Sequence, residues 1–334
     1  MGLVSLGDMA QSFMLRRQTV ALKTDLQRLS LELTTGRVAD TAARFSGDLG
    51  PVAGIDASLA RLNGYRAVTA EAGLFAGSMQ TALGVVDDLS SDLSRALLTA
   101  TSSSSQALVN VAGNDARSRL ETAISALNTR VGDRTLFAGT ATNGPATVAT
   151  ETMMQALDTA IAGATTAQDI QVAVQAWFDA PTGFAALGYS GGGALARVNI
   201  APGEEAAIDI TANDPAIRAT LKGLAMAALL GRGALSGQPA ERQDLARRAG
   251  LSLLESQTDR TYLSARLGST QAQIDAASAR NAAEVTSLQI ARADMTAADP
   301  FETASKLQET QQQLEKIYAI TARITRLSLM DYLR

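Results

Sequence analysis

The most suggestive chemical motif in the sequence is a glycine-rich run, Gly188-Tyr-Ser-Gly-Gly-Gly193. The backbone amides of such a loop can hold a phosphate when the loop joins a strand to a helix and carries a Lys-Ser/Thr pair. Here no convincing strand precedes the run, no helix opens after it, and the Lys-Ser/Thr pair is absent. The sequence therefore predicts a flexible loop before a strand, not a phosphate site.

Carboxylates are the other residues that could do chemistry. The pairs Glu204-Glu205 and Asp87-Asp88 are adjacent in sequence, so on a helix or a strand their side chains point apart. No EF-hand-like spacing appears, although metal sites made only of oxygen ligands are not excluded by sequence. The chain has no Cys and no His, and so lacks thiolates, disulfides and the usual near-neutral proton shuttle. We predict no catalytic, cofactor-binding or metal site, and no enzyme.

The composition favours packed helices. Hydrophobic residues make up 46% of the 334 residues, yet aromatic residues only 4%, because Ala and Leu fill the apolar fraction. The net charge of −4 gives no indication of a nucleic-acid or anionic-membrane surface. No apolar run reaches transmembrane length, and residues 1–10 lack the pattern of a classical cleaved signal peptide.

Two narrow apolar stripes, one near each end of the chain, organise the rest. A helix over residues 8–35 is expected to stop at Gly36, and a second helix to start at Asp299-Pro300-Phe301-Glu302, where Asp299 caps and Glu302 reaches back. Their spacing is that of a coiled-coil seam, which would pair the termini with each other or with neighbouring copies; ordinary core helices are the alternative. The predicted seam residues are Leu15, Leu22, Leu26, Leu29, Leu33, Leu307, Leu314, Ile317, Ile324 and Leu327.

Between the termini the sequence predicts long helices and one segment of a different kind. Helices are expected over residues 51–99, 106–131, 215–230 and 240–295, after a loop at 37–50. The segment 141–213 instead combines short amphipathic helices at 151–161 and 167–178 with a strand pair, 195–200 and 206–211, joined by a type II turn at Pro202-Gly203. It is also markedly acidic, which indicates a solvent-facing insertion.

The predicted fold class is therefore mainly α, with paired terminal helices, a rod of long helices and a small inserted α+β tip. The expected domains are a terminal coiled coil (1–40 with 296–334), a helical rod (41–140 with 214–295) and the exposed insertion (141–213).

Three stretches resemble flagellin-like axial proteins of the bacterial flagellum. Leu29-Ser-Leu-Glu-Leu-Thr-Thr-Gly36-Arg37-Val38 resembles the end of their N-terminal helix, and residues 128–140 resemble a segment typical of the hook-associated protein 3 family. The ending from Thr321 to Arg334 resembles that family's C-terminus more than the flagellin ending. The segment 38–51 departs from the family's usual Pro-Ser-Asp-Asp-Pro-like loop.

The resemblance implies a structural subunit at the hook–filament junction. Its members form a ring between the hook-side junction protein and flagellin, and are exported unfolded by the flagellar type III apparatus with a chaperone bound near the C-terminus. It implies an extracellular location without a cleaved signal peptide, and no nucleic-acid or membrane partner. Flagellin itself is the alternative, followed by another type III-secreted coiled-coil protein.

Overall fold

A computed structural model describes residues 6–103 and 105–332, with side chains from Met9 to Ile324 outside that gap. It confirms a mainly α fold with long helices and a few short strands. In chain order the elements are α1 Leu6–Thr35, α2 Thr41–Arg44, α3 Gly50–Ser102, α4 Gln106–Leu127, β1 Arg130–Val131, β2 Arg134–Thr135, α5 Thr150–Ala160, α6 Ala167–Asp179, a π-helical turn Phe184–Gly188, β3 Val198–Ala201, β4 Glu204–Ala206, α7 Pro215–Gly231, α8 Pro239–Glu255, α9 Gln257–Thr296 and α10 Pro300–Tyr332.

The chain divides into two compact units. One contains residues 1–62 and 283–334, and the other contains residues 63–282. The helices α3 and α9 each contribute residues to both units. These limits differ from the three domains that the sequence suggests, and the independence of segment 141–213 stays a prediction.

In the terminal unit, α1 and α10 pack against each other. Gly36 adopts a left-handed φ of +67°, and its N–H donates to the Glu32 carbonyl, as expected of a helix C-cap. Two backbone hydrogen bonds then fasten this corner: Ala298 N–H donates to Gly36 O at 3.0 Å, and Val38 N–H donates to Thr296 O at 2.9 Å. The end of α1 therefore lies beside the start of α10, and the two helices run antiparallel.

The start of α10 confirms one predicted cap and corrects another. Asp299 accepts hydrogen bonds from the amides of Phe301 at 2.8 Å and Glu302 at 3.1 Å, which satisfies free donors of the first turn. Glu302 does not reach back; its carboxylate pairs forward with Lys306 at 2.7 Å. The predicted loop at 37–50 also contains a single helical turn, α2, capped by the Asp40 side chain.

The larger unit is built around α7. This helix is largely apolar, with Arg218 and Lys222 on one side, and it is buried continuously from Gly223 to Leu230, in contact with α4, α5, α6 and α8. Asp214 caps its start by accepting from the Ala216 amide at 3.1 Å. Its closest neighbour is α4: a Cβ on Gly113 would lie 2.8 Å from the Leu230 Cβ, and one on Gly231 would lie 2.5 Å from the Gly113 carbonyl oxygen. Glycine at both positions is what lets the two backbones approach.

The single helix predicted over residues 240–295 is wrong, because the helix is interrupted at Ser256 between α8 and α9. The buried side chain of Arg260 lies at this interruption and donates to the Leu253 carbonyl at 3.1 Å and to the Ser256 hydroxyl at 2.7 Å. It also pairs with Asp87 of α3 at 2.6 Å. A side chain that takes up a helix carbonyl in this way can interrupt the hydrogen bonding of the helix, and hydrophobic spacing does not reveal it.

The region between α4 and α7 differs in detail from the sequence prediction. The helix predicted to reach residue 131 ends at Leu127 and is followed by the β1–β2 hairpin. The later strands are shorter than predicted and are displaced: β3 covers 198–201 rather than 195–200, and β4 covers 204–206, which shares only residue 206 with the predicted 206–211. Gly203 nevertheless has the φ of +76° that the expected turn at Pro202-Gly203 requires. The apolar side chains of α5, α6 and the strands join the same hydrophobic core as α4 and α7.

Candidate assembly surface

The glycine-rich run leaves no room for a phosphate. The Gly192 amide donates to the Ala138 carbonyl at 2.8 Å, and a Cβ on Gly139 would lie 2.1 Å from the Gly193 carbonyl oxygen. The Tyr189 hydroxyl donates to the Gly192 carbonyl at 2.6 Å, and burial raises the pKa of this phenol, so it remains a donor. The run is packed against the chain rather than flexible, and its carbonyls and amides are used internally.

The adjacent acid pairs serve structural ion pairs. Asp87 forms an ion pair with Arg260 of α9, and Glu204 forms one with Arg280 of the same helix at 2.5 Å. Among the described residues no group of three or more Asp and Glu side chains could hold a metal ion. In the same part of the chain no helix is long and apolar enough to cross a membrane.

The predicted seam residues lie mostly between α1 and α10 of the same chain. Leu29 is buried, and most of the others are half-buried: Leu15, Leu22, Leu26, Leu307, Leu314, Ile317 and Ile324. Leu33 is the exception, with 40% of its surface exposed, and the side chain of Leu327 lies outside the described residues. Contact between subunits through these residues stays a prediction.

Glu32 accounts for the exposure of Leu33. Its carboxylate is buried at the corner, where it accepts from the Ala39 amide at 3.0 Å and from the Arg28 guanidinium at 3.3 Å. Near its end, α1 thus turns a hydrogen-bonded acid inward, and the neighbouring leucine faces solvent. Arg28 also donates to Asp25 at 3.1 Å, and this hydrogen bond raises the pKa of the guanidinium, which thus bridges two carboxylates.

A second line of exposed side chains, the outer stripe, runs along the outer side of α1, where apolar Phe13, Val20 and Leu31 alternate with polar Arg17, Thr24 and Gln27. Phe13, Val20 and Leu31 are 66%, 64% and 55% exposed, and they are spaced seven and eleven residues apart. At about 100° per residue these spacings place all three on one line, roughly opposite the Leu22 seam position. On α10 the exposed large hydrophobic residues are Phe301, Tyr318 and Ile320.

Residues 253–333, which contain all of α9 and α10, match the family model of the bacterial flagellin C-terminal helical region. This part of the chain is flagellin-like. The matched residues include Arg260 and the predicted seam residues of α10.

The fold of the chain is also similar to that of a solved structure. A protein from Vibrio parahaemolyticus, described as a flagellar hook-associated protein, superposes with a TM-score of 0.54 over 73% of this chain and 95% of its own. The two sequences are 12% identical, so this similarity concerns the fold. No curated protein sequence matches the chain significantly. Together the comparisons show flagellin-like sequence in residues 253–333 and a fold similar to that of the Vibrio protein.

Sequence reasoning missed the outer stripe of α1. The signal was present, since Phe13, Val20 and Leu31 keep one helical face through a heptad step and an eleven-residue step. It was hidden by the stronger leucine heptads on the opposite side. The inner face of α1 is therefore apolar, and its outer face exposes three large apolar side chains among polar ones.

Proposed function

We propose that this chain is a subunit of the hook–filament junction, which joins the hook side of the flagellum to the flagellin filament. The observation that carries the proposal is the outer stripe of α1. A helix pair that has already buried one seam still presents Phe13, Val20 and Leu31 to solvent. Exposed apolar side chains aligned on one face are typical of a surface that another molecule covers.

The seam and the outer stripe would have different roles. The seam residues keep α1 and α10 together, and the outer stripe contacts the helices of a neighbouring copy. Burying a Val or Leu side chain is worth about 1.5–3 kcal/mol, and each copy in a closed ring would contribute the same contact. Flagellin and the hook-side junction protein would meet the two open sides of such a ring.

An exported subunit must also tolerate transit as an unfolded chain. The absence of Cys excludes cross-linking on the way, and an α1–α10 pair that is completed only on assembly acquires its full stability at the growing end. We place the protein outside the cell in the flagellum, with a flagellar export chaperone bound near the C-terminus before export.

Flagellin is the second candidate, and the match of residues 253–333 to a flagellin region favours it. The fold similarity to a hook-associated protein favours the junction subunit. Another type III-secreted coiled-coil protein ranks third, because neither comparison points to that class.

Electron microscopy of cells lacking the gene separates these functions. A junction subunit predicts hooks without filaments and intact flagellin shed into the medium. A filament subunit predicts loss of the filament without shed flagellin. Flagella of normal length and number would contradict both.

A paired substitution then tests the outer stripe. Val20→Asp places a charge in the stripe, whereas Gln18→Asp changes a nearby exposed residue outside it. We expect Val20→Asp to fold with an unchanged melting temperature and to fail to restore filaments, and Gln18→Asp to restore them. Filament attachment by Val20→Asp at the wild-type level would remove the outer stripe from the assembly contact.

A further inference from the structure

The exposed turn between β2 and α5 contains Asn143-Gly144, one of two Asn-Gly pairs in the sequence; the other is Asn63-Gly64. Asn followed by Gly is prone to a spontaneous reaction, because the unhindered glycine amide can approach the asparagine side chain. The two pairs occupy opposite environments, a turn and the interior of a helix. The helical pair Asn63-Gly64 can therefore serve as an internal control for the reaction rate at Asn143-Gly144.

We propose that Asn143 is a site of self-catalysed deamidation in the folded protein and that Asn63 is not. The Gly144 backbone nitrogen attacks the Asn143 side-chain carbonyl carbon, a C–N bond forms, and the side-chain nitrogen leaves as ammonia. Water then opens the resulting succinimide at either carbonyl, which yields aspartate or isoaspartate. Water is the only co-reactant, and the product gains one negative charge.

The geometry of the turn leaves both reacting groups available. Asn143 is exposed, and among the described residues its side-chain amide has no hydrogen-bond partner. The Gly144 N–H makes one long contact, 3.5 Å to the Ala141 carbonyl oxygen, which is at the limit of a hydrogen bond. The attacking nitrogen is therefore held weakly.

The helical pair lacks this freedom. Asn63 and Gly64 lie inside α3, where the N–H of each residue donates to the carbonyl four residues earlier and ψ is fixed in the helical range. The Gly64 nitrogen would have to break a helix hydrogen bond and rotate before it could attack. Both asparagines are exposed to solvent, so we attribute the expected difference in deamidation rate to the backbone conformation.

Deamidation would also alter the local structure. Thr135 holds the peptide on each side of Asn143: its N–H donates to the Thr142 carbonyl at 2.9 Å, and its hydroxyl donates to the Gly144 carbonyl at 2.7 Å. Isoaspartate inserts an extra backbone carbon between these two carbonyls. One of the two hydrogen bonds must then lengthen, which loosens the turn from β2.

The test follows both asparagines in full-length protein at mildly alkaline pH, by peptide mass spectrometry with detection of isoaspartate. In folded protein we expect the mass of the Asn143 peptide to rise by about one unit while the Asn63 peptide stays unchanged. In concentrated urea both peptides should react, because both backbones are then free. If the folded protein modifies Asn143 no faster than Asn63, the proposal is wrong.

Gly144→Ala isolates the mechanism. Gly144 has no left-handed φ, and a Cβ there would meet no atom within 4 Å, so the variant should keep the wild-type melting temperature. The added methyl group hinders attack by residue 144, and we expect the reaction at Asn143 to slow several-fold. An unchanged rate in a variant that folds would show direct hydrolysis and overturn the succinimide route.

Discussion

The helices α1 and α7 show two different ways of using apolar residues. Along its 17 residues α7 buries nearly every side chain against neighbours from the same chain. From Met9 onwards α1 buries only Leu29 and Glu32, although it is 30 residues long and rich in Leu. The larger unit therefore holds the hydrophobic contacts for its own stability, whereas the terminal pair contains apolar surface that its own unit leaves open.

The comparison is tested most directly by removing one leucine from each place. Leu224 of α7 is fully buried, so Leu224→Ala should lower the free energy of unfolding by about 2–5 kcal/mol, through lost burial and a cavity. Leu33 of α1 is 40% exposed, and Leu33→Ala should change it by about 0.5 kcal/mol or less. Urea unfolding of both variants measures the difference. Equal losses would mean that α1 and α7 do not differ in the way described.

A glycine pair sharpens the comparison within the larger unit. Gly113→Ala pushes a Cβ against Leu230 and the Gly231 amide, and should destabilise by about 1–3 kcal/mol. Gly84→Ala, on an exposed part of α3 with nothing within 4 Å, should stabilise by about 0.5–1 kcal/mol, because Ala loses less entropy in a helix. The same Gly→Ala substitution should thus lower the melting temperature at position 113 and raise it at position 84. A neutral Gly113→Ala would show that α4 and α7 can move apart cheaply.

A charge on the α10 seam tests whether the terminal pair unfolds on its own. Leu314 is half-buried on the seam, so Leu314→Asp should weaken the pair by about 1–2 kcal/mol and leave the main melting transition unchanged. Hydrogen exchange should show lost protection in α1 and α10 with full protection in α7. The exposed neighbour Gln312→Asp is the control. A large fall in the main transition would show that α10 belongs to the cooperative core.

The smallest expected effect concerns an ion pair that ties α5 to the end of α7. A hydrogen bond from Arg232 lowers the pKa of Glu151 below its ordinary value of 4.5, so the ionised carboxylate stabilises the fold. This stabilisation is complete above pH 4.5 and is lost as the pH falls through the lowered folded-state pKa. Glu151→Gln should therefore melt slightly lower than wild type near neutral pH and equally in strong acid. A difference that persists in acid would assign the effect to packing.

The sequence predicts best those features that depend on local rules. Gly36 ends α1, Asp299 starts α10 and Asp214-Pro215 starts α7, because each supplies a conformation or an acceptor that the helix end requires. The interruption at Ser256 instead accompanies the buried Arg260 side chain, whose partner Asp87 is 173 positions away in the sequence. The exposure of Leu33 likewise depends on Glu32 bonding the Ala39 amide, a tertiary contact without periodicity.

For the candidate assembly surface, the sequence likewise predicts some features and not others. The leucine heptads predict the seam, since a repeat of seven places side chains on one line. They cannot tell whether the partner is the same chain or another copy, because both satisfy the same apolar positions. That distinction required the antiparallel placement of α10, which leaves Phe13, Val20 and Leu31 outside.

The corner between α1 and α10 sets the phase of the whole pair. The bonds from Val38 to Thr296 and from Ala298 to Gly36 fix both helices at one end, with a linker of three residues before Pro300. One residue added to that linker would turn α10 by about 100°, so that Leu307 and Leu314 would swing away from α1 and a polar line would replace them. The length of the linker between α9 and α10, as much as the sequence of α10, thus determines which side chains of α10 face α1 and which face outwards.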